Sequence, residues 1–173
     1  MKQYLIIFLS LSLSVVMRAQ KYHDAVLEDV QGPVKEIVYV NANIESVFYD
    51  CEGRESRRNE QKEQRQYDNV GYLINYDVTI DGTTWDTHVE YDHQHRVKRS
   101  VMLTNGGRTI NDLSYNKNGQ IEKSVITIST KDISMTYTST FIYFTFDGYG
   151  NWLSRVRKRN QTAIYESRII RYW

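Results

Sequence analysis

The chain of 173 residues has one cysteine, Cys51, and one proline, Pro33. A lone thiol excludes an internal disulfide, so stability has to come from backbone pairing and packing. An excess of either charge is lacking as well, with 22 Lys and Arg against 21 Asp and Glu. That balance argues against nucleic acid as a partner, because phosphate binding needs a basic excess. The sequence has no serine elbow, no phosphate-binding loop and no His-Glu-x-x-His helix, so these routes to catalysis are not offered. Apolar runs are scarce: one spans residues 4–17, follows Lys2 and is interrupted by Arg18 before Ala19. Residues 1–19 therefore read as a signal peptide, too short for a comfortable membrane span. Its removal leaves 154 residues, one β domain by length, with one more acidic than basic group. The expectation is export to the periplasm or the outside of the cell, with no stable membrane insertion after cleavage.

What is present is a repeat. The phrase Tyr67-Asp68-Asn69-Val70-Gly71-Tyr72-Leu73 returns as Tyr91-Asp92-His93-Gln94-His95-Arg96-Val97 and as Tyr115-Asn116-Lys117-Asn118-Gly119-Gln120-Ile121, each time 24 residues on. A further copy, Phe146-Asp147-Gly148-Tyr149-Gly150-Asn151-Trp152, follows after 31 residues, and Tyr49-Asp50-Cys51-Glu52-Gly53 precedes the first by 18. Fixed-period self-similarity of this kind is read before anything else. An aromatic ends a strand, Asp or Asn caps a tight turn, Gly supplies a positive φ, and an apolar residue opens the next strand. Between copies stand Asp81-Gly82 and Asn105-Gly106-Gly107, a second set of turn signals. One period is one hairpin.

Tyr-Asp-x-x-Gly-x-Leu at such intervals resembles the YD repeat of RHS-type proteins, and the closing Asp-x-x-Gly-Asn-Trp is similar to the last repeat of small secreted bacterial members. The resemblance covers residues 49–152 and departs at His95, where Gly is expected, and at Glu55, where an apolar residue belongs. It implies an exported, non-enzymatic binding or structural module of the cell envelope, with an envelope glycan or protein as partner. The shell of large RHS proteins is not implied for so short a chain.

The strands can be placed in turn. Residues 34–40 read as the first, after the turn pair Gly32-Pro33. Residues 52–66 contain no large apolar side chain and read as a solvated loop or a polar hairpin, with a short exposed helix as an option. Across Asp81-Gly82, a two-residue turn sets Ile80 opposite Thr83, Val78 opposite Trp85, Tyr76 opposite Thr87, Ile74 opposite Val89 and Tyr72 opposite Tyr91 on one covered face. The wet face then carries Thr79 with Thr84, Asp77 with Asp86, Asn75 with His88 and Leu73 with Glu90. Residues 133–146 form a long alternating strand, and around Asn160-Gln161 Arg155 falls opposite Glu166. The fold expected is all-β, an antiparallel meander of about ten strands curled into a barrel-like or strongly bent sheet.

Each cluster has a functional and a plain reading. Asp77 facing Asp86 beside His88 would hold a cation, although an exposed face also tolerates such a pair. His93 and His95 have a zinc-like spacing but occupy a turn, where solvation is the simpler reading. Cys51 between two acids is a poor nucleophile and reads as structural. Arg155 and Arg157, with Arg159, alternate on one face; they suit an anionic ligand or form the charged outer face of an edge hairpin. Tyr76 and Trp85 are candidate ligand contacts on an aromatic-rich sheet, where core filling is the default and an exposed aromatic row would point to sugar stacking. No catalytic residue and no cofactor is expected. The rival functions are a small-molecule or lipid carrier, marked by an apolar cavity open at one end, and a glycan hydrolase, marked by Asp77 and Asp86 converging with His88 in a cleft.

Overall fold

The computed structural model describes residues 20–40, 45–57 and 62–173; the expected signal peptide lies outside them. Twelve antiparallel strands form one sheet: β1 (Val34–Tyr39), β2 (Glu45–Tyr49), β3 (Glu55–Arg57), β4 (Lys62–Tyr67), β5 (Leu73–Ile80), β6 (Thr83–Tyr91), β7 (Val97–Leu103), β8 (Gly107–Tyr115), β9 (Ile121–Thr130), β10 (Ser134–Phe146), β11 (Trp152–Arg159) and β12 (Thr162–Tyr172). The one helix of the described residues is a single 3-10 stretch, Asp24–Glu28.

All five copies of the phrase fold in the same way. The side-chain Oδ1 of the second residue accepts two backbone N–H groups, two and four residues on. Asp68 takes those of Val70 (3.0 Å) and Tyr72 (2.9 Å), and Asp92 takes those of Gln94 (2.9 Å) and Arg96 (3.0 Å). Asp50, Asn116 and Asp147 repeat the arrangement. The fifth residue has positive φ each time, including His95 at 56°. The aromatic then pairs with the residue six positions on: Tyr49↔Glu55, Tyr67↔Leu73, Tyr91↔Val97, Tyr115↔Ile121 and Phe146↔Trp152. One step further the register slips by a residue, so Ser56, Ile74, Lys98, Glu122 and Leu153 are bulged.

The bulge sets the burial. Glu55, Leu73, Val97, Ile121 and Trp152 are buried, while Ile74 is exposed. Leu73 on the wet face and Ile74 on the covered face were therefore expected the wrong way round, because strict alternation allows no extra residue. The six pairs nearer the turn, from Ile80↔Thr83 to Asn75↔His88, stand as the two-residue turn dictates. A bulge also disturbs the ladder locally, and in the second and third copies the carbonyl at the buried position accepts from the tyrosine of the next copy. Tyr91 donates to Leu73 O at 2.8 Å and Tyr115 to Val97 O at 2.7 Å. Phe146 has no hydroxyl, and Tyr143 donates to Ile121 O at 2.9 Å in its place. Burial pushes the Tyr143 hydroxyl up to about 12, so these tyrosines stay neutral donors.

The strand order is β3-β2-β1-β12-β11-β10-β9-β8-β7-β6-β5-β4. The first strand thus pairs with the last, Ile37 opposite Ile170, and the meander is cut between β3 and β4, which become the two edges. Those edges meet through side chains. Lys62 Nζ donates to Glu55 Oε2, and Arg65 Nη1 donates to Glu55 O at 2.7 Å. The sheet curls until its edges touch but is not closed into a barrel. Two expectations change here. The strands number twelve and not about ten, because the polar stretch 52–66 supplies both edge strands. That stretch is also not simply solvated, since Glu55 and Lys62 are buried against each other.

Residues 20–33 form a strap across the end of the sheet that carries the five turns. Tyr22 N donates to Glu52 O (2.8 Å) and His23 N to Gly71 O (3.0 Å). Asp24 Oδ2 accepts from Glu55 N at 2.9 Å. At the far side, Asn151 Oδ1 accepts from Gln31 N at 2.8 Å while its Nδ2 donates to Gln31 O at 2.9 Å. Trp152 Nε1 donates to Asp29 Oδ2 at 3.1 Å, and the Arg168 guanidinium donates to Glu28 O and Asp29 O at 2.6 and 2.9 Å. Ala25 and Val30 of the strap complete the one apolar cluster of the described residues, with Val34, Ile37, Val47 and Tyr49. The Asn-Trp ending of the last phrase is the dock for the strap.

Strap and glycines are linked. A Cβ on Gly71 would lie 1.9 Å from Lys21 O and one on Gly53 2.1 Å from Tyr22 O, whereas one on Gly119 has nothing nearer than 3.8 Å. Gly71→Ala is therefore expected to cost about 3 kcal/mol or more, clash added to left-handed strain, and Gly119→Ala only about 1–2 kcal/mol. Urea melts of both variants check this; equal losses would mean that the strap does not cross Gly71.

Candidate functional site

A cleft of about 1010 Å³ opens between the strap and the turns of the third, fourth and fifth copies. The strap contributes His23, Asp29 and Gln31, and the turns contribute Gln94, Asn118 and Tyr149. The buried phrase positions Val97 and Trp152, with Tyr115 and Phe146, make its apolar part. Three aromatics keep large free surfaces there: Phe146 is 39%, Tyr149 52% and Trp173 58% exposed. Tyr149 leans on Tyr172 with ring centroids 4.4 Å apart, and Lys35 Nζ sits 4.8 Å from the Trp173 centroid, so both rings are held in place.

The charges in the cleft are already matched. Arg96 donates to Asp92 Oδ2 through Nε (2.8 Å) and Nη2 (2.6 Å) and lies 4.2 Å over the Tyr115 ring. Asp29 is held by Trp152 and Arg168 and faces Arg155 at 3.9 Å. Burial outweighs the pull of Arg168 and Arg155 and pushes its carboxyl up to about 6. On the other rim His23, Tyr72 and His95 stack, with centroids 4.5 and 4.7 Å apart. Burial lowers the His23 pKa, so near neutral pH it is an uncharged ring in the stack. The side-chain amides of Gln31, Gln94 and Asn118 have no partner among the described residues. Neutral aromatic faces and free amides are what this surface offers a ligand.

Of the residues singled out from the sequence, His95 stands on the rim of this cleft, and the others lie elsewhere. Asp77 and Asp86 are directly opposite on the outer face and line an open depression of about 710 Å³ with Thr84 and Gly106 at the far end of the sheet. His88 Nε2 is 3.6 Å from Asp86 Oδ2, and the Asn75 amide, with its nitrogen turned to these acceptors, reaches Asp86 Oδ1 at 3.0 Å and His88 Nδ1 at 3.1 Å. Among the described residues no group of three His, Cys, Asp or Glu is arranged to hold a metal ion. Tyr76 and Trp85 are half-buried on the inner face, the face on which the strap packs, with Lys62 Nζ 5.5 Å from the Tyr76 centroid. Arg155 pairs with Glu166 as the turn at Asn160-Gln161 requires, at 2.6 Å, and Arg157 joins the same carboxylate at 2.8 Å. The reading of these arginines as an outer face of an edge hairpin is corrected: β11 is interior to the sheet, and Arg155 points inward, 3.9 Å from the Trp152 ring centroid. Cys51 is exposed in the first turn.

Sequence reasoning missed Asp29, Asn151 and Trp173. Asn151 was marked only by the departure of the closing phrase from the others; Asp29 and Trp173 lie outside every repeat. No family model matches the chain, and no curated protein is similar enough to be counted as a relative.

The raised Asp29 pKa fixes a pH dependence. A group protonated more readily in the folded than in the unfolded chain stabilises the fold most below its unfolded value, near 4, and that contribution is lost as pH rises through about 6. Carbon-detected NMR of the Asp29 carboxyl should titrate near 6, and Asp29→Asn should flatten the pH–stability curve between about 4 and 6. A midpoint in the ordinary carboxylate range would refute the assignment.

Proposed function

We propose that the chain is an exported, non-enzymatic binding module of the bacterial cell envelope, of the YD-repeat type of RHS proteins, and that it takes a neutral glycan in the cleft at the turn end. The observation that carries this is the open row of Phe146, Tyr149 and Trp173 beside unpartnered amides. Aromatic faces stack on the C–H faces of sugar rings, while amides exchange hydrogen bonds with hydroxyls. An anionic or cationic ligand has less to gain, because Arg96 and Asp29 already have partners. The YD-repeat reading is supported by the five copies sharing one turn, one bulge and one positive φ.

The test is an array of neutral envelope oligosaccharides, followed by titration calorimetry of the best binder. The Tyr149→Ala, Trp173→Ala double variant should bind at least about tenfold more weakly, since each stacked ring contributes about 0.5–1.5 kcal/mol beyond its buried area. Glycan binding that the double variant leaves intact, or no binding across the array, would contradict the proposal.

A further inference from the structure

We infer that the inner face of the sheet, at the end away from the strap, binds a long-chain carboxylate, with its head on Arg159 and Arg157 and its chain along an apolar rim. This site is separate from the turn-end cleft and does not depend on the glycan reading.

The first observation is an uncompensated cation. Arg155, Arg157 and Arg159 stand opposite Tyr143, Phe141 and Ser139 of β10, all on the inner face. Glu166 serves both Arg155 and Arg157. Arg159 has no carboxylate partner among the described residues: its Nε reaches only Ser139 Oγ at 3.4 Å, and its guanidinium lies 5.2 Å from the Tyr137 centroid. A half-buried guanidinium over a ring is well placed to take a carboxylate through a forked pair of hydrogen bonds.

The second observation is apolar surface left wet on a concave wall. Beyond Ser139 the inner face continues as Tyr137 opposite Ile126 and Met135 opposite Ile128, while Ile164 stands opposite Arg157. Ile128, Met135 and Ile164 are 40%, 47% and 42% exposed although they face inward. The buried apolar cluster is at the strap end. Twelve strands curl more widely than the eight whose side chains fill a closed barrel, and on this half of the inner face the apolar side chains stay in contact with solvent. Cationic head site and apolar rim are adjacent, and charge complementarity selects an anionic amphiphile over a neutral lipid or a small soluble anion.

The test uses the protein as its host processes it, stripped of bound lipid and titrated with the fluorescent fatty acid cis-parinaric acid and with its methyl ester. The acid should bind saturably at one site and the ester at least tenfold more weakly. Arg159→Gln should bring the acid down to the affinity of the ester. Met135→Asp, an exposed position that the fold does not need, should weaken both, and Tyr149→Ala at the opposite end should change neither. Absence of saturable binding, equal affinity for acid and ester, or indifference to Arg159→Gln or Met135→Asp would overturn the inference, and so would sensitivity to Tyr149→Ala.

Discussion

Everything in this fold hangs on one oxygen per repeat. The Oδ1 of Asp50, Asp68, Asp92, Asn116 and Asp147 takes two backbone N–H groups, which closes the turn and fixes how the chain leaves it. Each such bond contributes about 1 kcal/mol, more where the acceptor is charged, and ten of them recur in phase. Because the chain leaves in a bulge, the seventh residue turns inward, and in the two middle copies its carbonyl is offered to the tyrosine of the next copy. That hydrogen bond explains the period: the donor tyrosine lies 18 residues after the carbonyl in both middle copies. The spacing of 24 is this 18 added to the six that separate an aromatic from its bulge partner.

The strap is the second constraint, and it makes the turn end a surface with a cleft in it. It is fastened at one side through Asp24 to the edge strands and at the other through Asn151 and Trp152 to the last copy. The glycines at Gly53 and Gly71 are demanded by its backbone, passing where a side chain would begin. His95 shows the converse, since the positive φ alone is tolerated where the strap does not cross. At the seam, Glu55 and Lys62 are buried together, a pair whose loss on one side leaves an uncompensated charge. The edges are thus blunted by side chains, which discourages addition of a foreign strand.

The repeated turns and the register near Asp81-Gly82 were legible because they are local: turn chemistry and counting suffice. So was the Arg155–Glu166 pair. The bulge was not legible, since nothing in the alternation of Leu73 and Ile74 says that one residue is extra. Nor were β3 and β4, whose charges looked solvated until the curl of the sheet brought Lys62 and Arg65 onto Glu55 and the strap brought Asp24 beside them. Pairing of β1 with β12 is non-local and has no sequence mark at all. The candidate site divides in the same way. Tyr149 and Trp152 sit in a recognisable phrase, but the aromatic row becomes a site only when Gln31 and Asp29 arrive from 120 and 123 residues away. Arg155, Arg157, Tyr76 and Trp85 were picked out for their types, and only the curl of the sheet shows that they share an inner face.

Strap and turns form one unit at that end of the molecule. Residue-resolved amide hydrogen exchange of the native protein measures it directly. The His23 and Gln31 amides should exchange as slowly as the capped turn amides of Tyr72, Arg96, Gln120 and Asn151, in one cooperative group. Fast exchange at His23 and Gln31 with the turns still protected would mean that the strap is not part of the unit the turns form.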